Sequence, residues 1–502
     1  MRLSVVVLVA GAATLATEIC ASRLLAPYFG SSTVVWANVI GLILIYLAVG
    51  YWVGGRVADR RPDPRLLGWI LLVAAAAIAV IPFVARPFLS ATVRELNSAS
   101  AGVVVGSFLA ALALFAVPVT LLGAASPFAV RLALPSVESA GTVAGRLYAL
   151  STLGSILGTF FSALVTIPLV GTQRTMLGAA TLIVVAAALL LGRRWHALAA
   201  ATALLLLVPT AAIKAQPGEL YETESRYQYL DVRDVPGGGR VLELNEGVVA
   251  NSVWYRGHVL TGGEWDMFLV LPPLLQRPLR RALVLGNAGG STARGLAALY
   301  PPVRIDGVEI DPAITAAARR YFALDAIPRL HVITADARAY LLTTHKRYDL
   351  ICVDAYRQPY IPFQLATREF FELVRRHLTA GGIVALNVSR VPGHRGLVDA
   401  LAHTVRDVFG NAWTWDALRF NSLVFASNGL LTRGQIVGRA AGLPTQLRPL
   451  APLFRRHVAA SGFRGTLLTD DRAPVEWIAD REMLAYVARG GRFDEHYLPT
   501  AP

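Results

Sequence analysis

Apolar residues dominate the first 213 positions almost without a break, interrupted only by short charged punctuation. A bilayer-crossing helix needs about 20 apolar residues. That length divides the region into seven stretches, at 3–25, 34–55, 66–89, 101–124, 145–169, 174–192 and 196–213. Past Lys214 the pattern changes. Residues 219–270 fall into short alternating runs (227–232, 240–244, 258–261) separated by turns at 236–239 and 246–247, the signature of a small antiparallel β module. From 280 to 430, strand-length apolar runs at 282–285, 304–309, 330–333, 349–354, 382–388 and 422–427 alternate with helical stretches. Such alternation predicts a mostly parallel sheet covered by helices on both faces. The expected organisation is a multi-span α-helical membrane domain (1–213), a small β module (214–279), an α/β domain (280–430) and a C-terminal extension (431–502).

Composition supports the membrane segments. Of the 502 residues, 55% are hydrophobic and only 16% charged, against about 25% charged in an ordinary soluble domain. The net charge of +14 rests almost wholly on arginine, because Lys214 and Lys346 are the only lysines. No basic stripe interleaved with aromatics accompanies it, so the lipid bilayer is an expected partner and nucleic acid is not. Cys20 and Cys352 lie in unrelated apolar runs, and no histidines have metal-ligand spacing. Neither a disulfide framework nor a metal site is expected.

The arginines also set an orientation. Arg56 to Arg65, the pair Arg131 and Arg146, and Arg193 with Arg194 flank three loops, which belong on the cytoplasmic side and take the N-terminus with them. The first span is too long, and too plainly the start of a series, for a cleaved signal peptide. Within it Glu18 and Arg23 sit where charge is costly. They are candidates for a substrate path or proton relay, or for an ion pair that fixes packing. Asn38 and the small residues of 154–158 read as helix-packing devices.

The chemistry centres on residues 281–312. An apolar strand runs into a turn of small residues, Gly286, Asn287, Ala288, Gly289 and Gly290, followed by a helix and a second strand ending at Glu309. A turn without bulky side chains lets a ligand reach the backbone, here at Gly286, and the helix N-terminal amides. A carboxylate about twenty positions on, as Glu309 is, accepts hydrogen bonds from ribose hydroxyls in nucleoside-binding folds. The spaced glycines of the dinucleotide fingerprint are absent, and the ending Glu309-Ile310-Asp311 is closer to the Rossmann-like nucleoside pocket of S-adenosylmethionine enzymes. An ordinary βαβ unit with a tight turn and no ligand is the alternative.

Two more carboxylates follow strands, Asp336 after the third and Asp354 at the end of the fourth. Ligands of parallel sheets sit at the carboxyl ends of strands, so the three acids are expected to converge above 286–290. Asp336 suits an adenine amino group. Asp354 suits the reacting end, as general base for an amine nucleophile, or serves as a helix cap. An S-adenosyl ligand is made and kept in the cytoplasm, yet seven spans carry this domain outside. A further half-length span around 127–135 restores a cytoplasmic placement.

Together, Tyr227-Gln228, Leu260-Thr261-Gly262-Gly263-Glu264-Trp265-Asp266, the turn after Leu285, the segment 308–312, Asp336-Ala337-Arg338 and Asp354 resemble spermidine synthases. The chain looks like the bacterial subgroup in which a multi-span membrane domain precedes the synthase domain. Its segment 55–61 is also similar to a loop of major-facilitator transporters. The resemblance implies transfer of an aminopropyl group to putrescine or another amine, with release of methylthioadenosine. The donor is decarboxylated S-adenosylmethionine, a co-substrate rather than a tightly bound cofactor. Asp354 matches the catalytic base, and Gln228, Glu309, Asp336 and Ala337 match nucleoside contacts. A homodimer is left open.

The departures are local. Gly289 stands where the family has an aspartate that holds the amino end, and Leu269 and Val270 stand where it has a Tyr-His or Tyr-Gln pair. The loop after Asp354 lacks the family's second aspartate and carries Arg357. These differences keep a second expectation in view, a membrane transport or sensing protein that binds a nucleoside or polyamine without turnover.

Overall fold

The computed structural model describes residues 2–29, 33–99, 102–134, 136–208, 217–245, 250–356 and 360–491. The expected boundary at Lys214, the turn at 246–247 and Arg357 lie outside the described residues. The chain divides into two compact units, Met1–Ala215 with Glu222–Tyr229, and Gln216–Tyr221 with Leu230–Pro502.

The first unit is helical: α1 (Arg2–Phe29), α2 (Thr33–Arg60), α3 (Pro64–Ala99), α4 (Gly102–Gly123), α5 (Ala125–Ala133), α6 (Ala140–Phe161), α7 (Ile167–Leu191) and α8 (His196–Leu204). Small residues let its helices touch. A Cβ added at Gly154 or Gly158 of α6 would sit 2.0 or 2.1 Å from the carbonyl oxygens of Leu8 and Ala12 in α1, the close backbone approach that small-residue faces permit. Also within this unit, Arg23 donates to the carbonyl oxygens of Ser225 (3.1 Å) and Arg226, and Thr172 Oγ1 donates to the Glu224 carboxylate at 2.6 Å.

Among the described residues, five helical segments are long and apolar enough to cross a membrane: Arg2–Phe29, Val35–Arg60, Pro64–Thr92, Phe108–Ala133 and Val137–Leu191. The fifth has 55 residues and is broken at Gly171, whose φ of 84° and ψ of 168° are not helical. Its two limbs cover the expected spans 145–169 and 174–192. The expected seventh span, 196–213, is over its described part the shorter apolar helix His196–Leu207. At about 1.5 Å per residue that helix does not cross a hydrocarbon core of about 30 Å. The extra span expected around 127–135 is not a separate crossing either, because α5 continues the segment Phe108–Ala133.

After the helices comes a four-stranded sheet in the order β1 (Glu219–Glu224), β2 (Tyr229–Val235), β3 (Gly239–Leu244) and β4 (Ala250–Trp254). The run at 258–261, expected to be a strand, is a loop. Gly257 turns the chain at φ 80°, and the Asp266 carboxylate takes the amides of Thr261 and Gly262 at 3.0 and 2.8 Å. Those donors are then unavailable to a ladder.

The α/β part runs β5 (Arg281–Leu285), α9 (Ser291–Leu299), β6 (Arg304–Glu309), α10 (Pro312–Tyr321), β7 (Leu330–Thr334), α11 (Ala337–Thr343), β8 (Tyr348–Val353), α12 (Arg368–Arg376), β9 (Leu378–Ser389), α13 (Gly396–Phe409), β10 (Trp413–Trp415) and β11 (Asn421–Ser427). With the two-residue β12 (Ala459–Ala460), the strands lie in the order β12-β10-β11-β9-β8-β5-β6-β7. Strands β5 to β9 are mutually parallel, and β11 pairs antiparallel to β9. The six expected strands are all present; β10 and β12 are too short for a periodic signal.

Alternation along each strand builds one core per face. Leu283, Leu285, Ile351 and Val353 face a core shared with Phe370 and Val398, whereas Ala282, Val284, Leu350 and Cys352 face one shared with Leu296 and Phe268. The chain moves from β5 to β6 and β7 on one side, then returns to place β8 on the other. The switch point therefore lies between the carboxyl ends of β5 and β8, where such sheets bind ligands.

Candidate active site

Directly after β5, Gly286 adopts φ 88°. A Cβ there would lie 2.4 Å from the carbonyl oxygen of Asp354 and 2.6 Å from the backbone of Ala355, so the two strand ends can meet only across a glycine. The amides of Gly286 and Asn287 both donate to Val308 O at 2.9 and 3.1 Å, locking the turn onto β6. Gly290, at φ 82°, opens α9 with no side-chain cap, so the first turn of the helix offers its amides to whatever lies above it.

Glu309 is held by the same turn. Its Oε2 accepts from the Ala288 amide at 3.0 Å and its Oε1 from the Asp311 amide at 3.1 Å. It is only 6% exposed, and burial pushes its carboxyl up to about 7 against the pull of those two donors. Asp336 caps α11, its Oδ1 accepting from the Ala339 amide at 2.9 Å, and Ala337 is buried at the first helical position.

The other half of the site is assembled from distant segments. Asp354 follows β8, its amide bound to Leu285 O at 2.8 Å. Its Oδ1 accepts from Asn387 Nδ2 at 3.0 Å, and Asn387 Oδ1 in turn accepts from Asn421 Nδ2 at 2.9 Å. Tyr356 braces the same strand, donating to Asn387 O and accepting from the Ser389 amide, both at 2.8 Å. Burial pushes the Asp354 carboxyl up to about 6, and the Asn387 bond opposes it.

Two further acids come from a short helical turn, 264–270. Glu264 is 7% exposed; burial first, then the neighbouring charge of Asp354, pushes it up to about 8. Asp266, equally buried, is pushed up to about 7 by burial against its bonds from Thr261 and Gly262. Trp265 Nε1 donates to Thr261 Oγ1 at 2.6 Å and fixes the turn. Mutually repelling, desolvated carboxylates at a switch point await either protons or a cation.

Residues 266–415 match the spermine/spermidine synthase domain family. Over these residues the chain is similar to that family. The chain is also similar to a probable polyamine aminopropyl transferase of Bifidobacterium longum, with 36% identity over 277 residues, 51% of this chain and 61% of the relative. The polyamine aminopropyltransferase of Vibrio vulnificus is 36% identical over 151 residues, 29% of this chain and 50% of the relative. The chain thus spans between 50% and 61% of the length of these curated relatives. Among solved structures, a probable spermidine synthase from Corynebacterium glutamicum shares 18% identity, covers 54% of this chain with 95% of its own, and has a TM-score of 0.40.

Within the α/β part, Gly286, Glu309 and Asp354 meet at the switch point, and Asp336 with Ala337 stands after the neighbouring β7. Gln228 belongs to the other compact unit, where it is buried with its amide on Ser225 Oγ at 3.1 Å. The departures have structural reasons. Leu269 and Val270 are fully buried in the sheet core. Gly289 has its amide on Ser252 Oγ at 2.9 Å, and a Cβ there would meet Ser252 Cβ at 2.7 Å, so β4 fills the space that an aspartate needs.

Sequence reading passed over Glu264, Asp266, Asn387 and Tyr356 as site residues. The first two stood inside the quoted 260–266 segment, where two acids in a run later found buried were the available signal. Nothing in the sequence ties Asn387 to Asp354. Asn287 was also passed over as more than a turn residue; it is 3% exposed, and among the described residues its side-chain Nδ2 and Oδ1 have no hydrogen-bond partner.

Proposed function

We propose that the chain is a membrane-bound aminopropyltransferase acting on a small amine, with decarboxylated S-adenosylmethionine as donor and methylthioadenosine as by-product. The observation that carries this is Asp354, held by Asn387 beside the switch-point turn, with a second desolvated acid, Glu264, near enough to feel its charge. The amine nitrogen attacks the aminopropyl carbon bonded to the sulfonium. The N–C bond forms as the C–S bond breaks, its electron pair neutralising sulfur, and the proton shed by nitrogen passes to Asp354. Glu264 and Asp266 compensate a cationic acceptor, which the missing family acids no longer do. Glu309 takes the ribose hydroxyls and Asp336 the adenine amino group, while Gly286 lets the nucleoside approach and Ala337 completes its contacts.

The test is the full chain in neutral detergent, given the donor with putrescine, cadaverine or spermidine, and assayed for product and methylthioadenosine. Transfer to any amine is the expected result. The crowding at Gly289 favours a second reading, a transport or sensing protein that binds without turnover. Calorimetric binding of methylthioadenosine with no transfer selects that reading, and absence of binding ends both.

The helical unit supports a multi-pass placement with the synthase domain in the cytoplasm. The two limbs around Gly171, counted separately, make six crossings, and an even number returns the chain to the side of its N-terminus. Residues 60–65, 131–146 and 193–194 then share the cytoplasmic face, as basic loops prefer. A reporter fused after Pro217 should be active only inside the cell; activity outside overturns the placement.

A further inference from the structure

The other edge of the sheet carries a cluster of basic residues. At the end opposite the switch point, a depression of about 550 Å³ is lined by Arg304, Ile305, Asp306, Arg329, Leu330, His331 and Lys346. Its chemistry follows from strand register. Arg281 pairs with Arg304 across β5 and β6, and Ile305 pairs with Leu330, which places Arg329 level with Arg304. Three arginines thus open three neighbouring strands in one row, about 4.8 Å apart. Two residues along, and so on the same face, Asp306 is level with His331.

The acid in this depression is already spent. Asp306 accepts from Lys346 Nζ at 2.8 Å and Tyr348 OH at 2.7 Å, and lies 3.3 Å from His331 Nδ1. The nearby Asp349 carboxylate is spent on the amides of Arg280 and Arg281 and the Thr379 hydroxyl. Among the described residues, Arg281, Arg304 and Arg329 form no ion pair. Like charges side by side on neighbouring strands destabilise a sheet. Arg329 is moreover held in the left-handed region, at φ 57°, its guanidinium donating to Pro302 O at 2.8 Å. An arginine row with no ion pair of its own, beside an acid already hydrogen-bonded and paired, has the chemistry to fork onto a planar or tetrahedral oxyanion.

We infer that this depression binds a phosphate group, with Arg304 and Arg329 as its forks and Arg281 and His331 beside them. The volume suits a phosphate-bearing small molecule or a lipid headgroup. This site is separate from the proposed transfer chemistry, at the opposite end of the strands, so its test does not depend on turnover.

The experiment is calorimetric titration of the full chain with pyrophosphate, at ionic strength held constant with chloride, in nanodiscs of phosphatidylcholine and, separately, of phosphatidylglycerol. Saturable binding is expected in phosphatidylcholine discs. Arg304→Gln with Arg329→Gln should weaken it about tenfold or more, whereas Arg376→Gln, an exposed arginine on α12, should leave it unchanged. Arg304→Gln alone, at an exposed strand start, should give part of the loss without affecting the fold. If a lipid headgroup is the natural occupant, pyrophosphate will bind more weakly in phosphatidylglycerol discs; equal binding in both points to a soluble phosphate. An unaltered affinity in the double variant, or no saturable binding in the wild type, overturns the assignment.

Discussion

The two halves of the candidate site are built in different ways. The half around Gly286 and Glu309 comes from one contiguous βαβ stretch, and its groups are backbone amides plus a carboxylate fixed by its own turn. The half around Asp354 draws on residues 261–266, the end of β8, the end of β9 and Asn421 of β11. A contiguous half keeps its geometry as long as its turn forms, whereas a half gathered from four segments depends on every strand register between them. Of the family departures, Gly289 lies in the contiguous stretch, where Ser252 of β4 crowds it, whereas Leu269 and Val270 follow the 261–266 segment of the gathered half.

The strongest way to separate the halves is Asp354→Asn. Turnover should fall by about a thousandfold, while methylthioadenosine binding, measured by calorimetry, stays nearly unchanged. Equal loss of both would mean that the halves are one structural unit. Next in size, Glu264→Gln should raise KM for the amine about tenfold and leave KM for the donor alone; a shift in the donor KM would move Glu264 to the nucleoside side.

A restored family acid probes the boundary between the halves. Gly289→Asp should destabilise the domain by about 1–3 kcal/mol through overpacking, because its Cβ meets Ser252 at 2.7 Å. Adding Ser252→Gly should recover most of that loss in thermal unfolding. Absence of any destabilisation would show that β4 yields easily there.

The smallest effects concern protons. With Asp354 near 6, kcat/KM should fall as pH drops through that value. Asn387→Ala removes the donor that opposes the shift, so the midpoint should move upward. The folded-state values of Glu264, Asp266 and Glu309 all lie above the ordinary carboxylate range. Each therefore binds protons more readily folded than unfolded, and stability should rise as pH falls from 8 to about 5. Asp306, Asp416 and Asp470 are shifted the other way and lose their contribution only at lower pH. A flat unfolding temperature across that window would contradict the burial of the acid cluster.

Much of this molecule was legible in the chain. Six strands of the main sheet were placed from apolar periodicity, and Glu309 and Asp354 from their positions at strand ends. The helical region was less faithful to its pattern. Residues 196–213 have the composition of a span, but the described helix ends at Leu207, and the break that matters, Gly171, looks like any other glycine in an apolar run. Hydropathy measures how well residues suit lipid and does not measure where a helix stops.

The sequence by itself determined the order of elements, the turn that only glycine can make at Gly286, and the carboxylate that follows it, because these depend on residues near one another along the chain. Only the tertiary structure decided that Glu264 lies near enough to Asp354 to feel its charge, that Asn387 holds the Asp354 carboxylate, that Ser252 fills the space beside Gly289, and that arginines from three strands line up at the far edge. Those relations are set by which strands are neighbours and in what register. Burial then changes the proton affinity of whatever acids it brings together, and no local pattern records that.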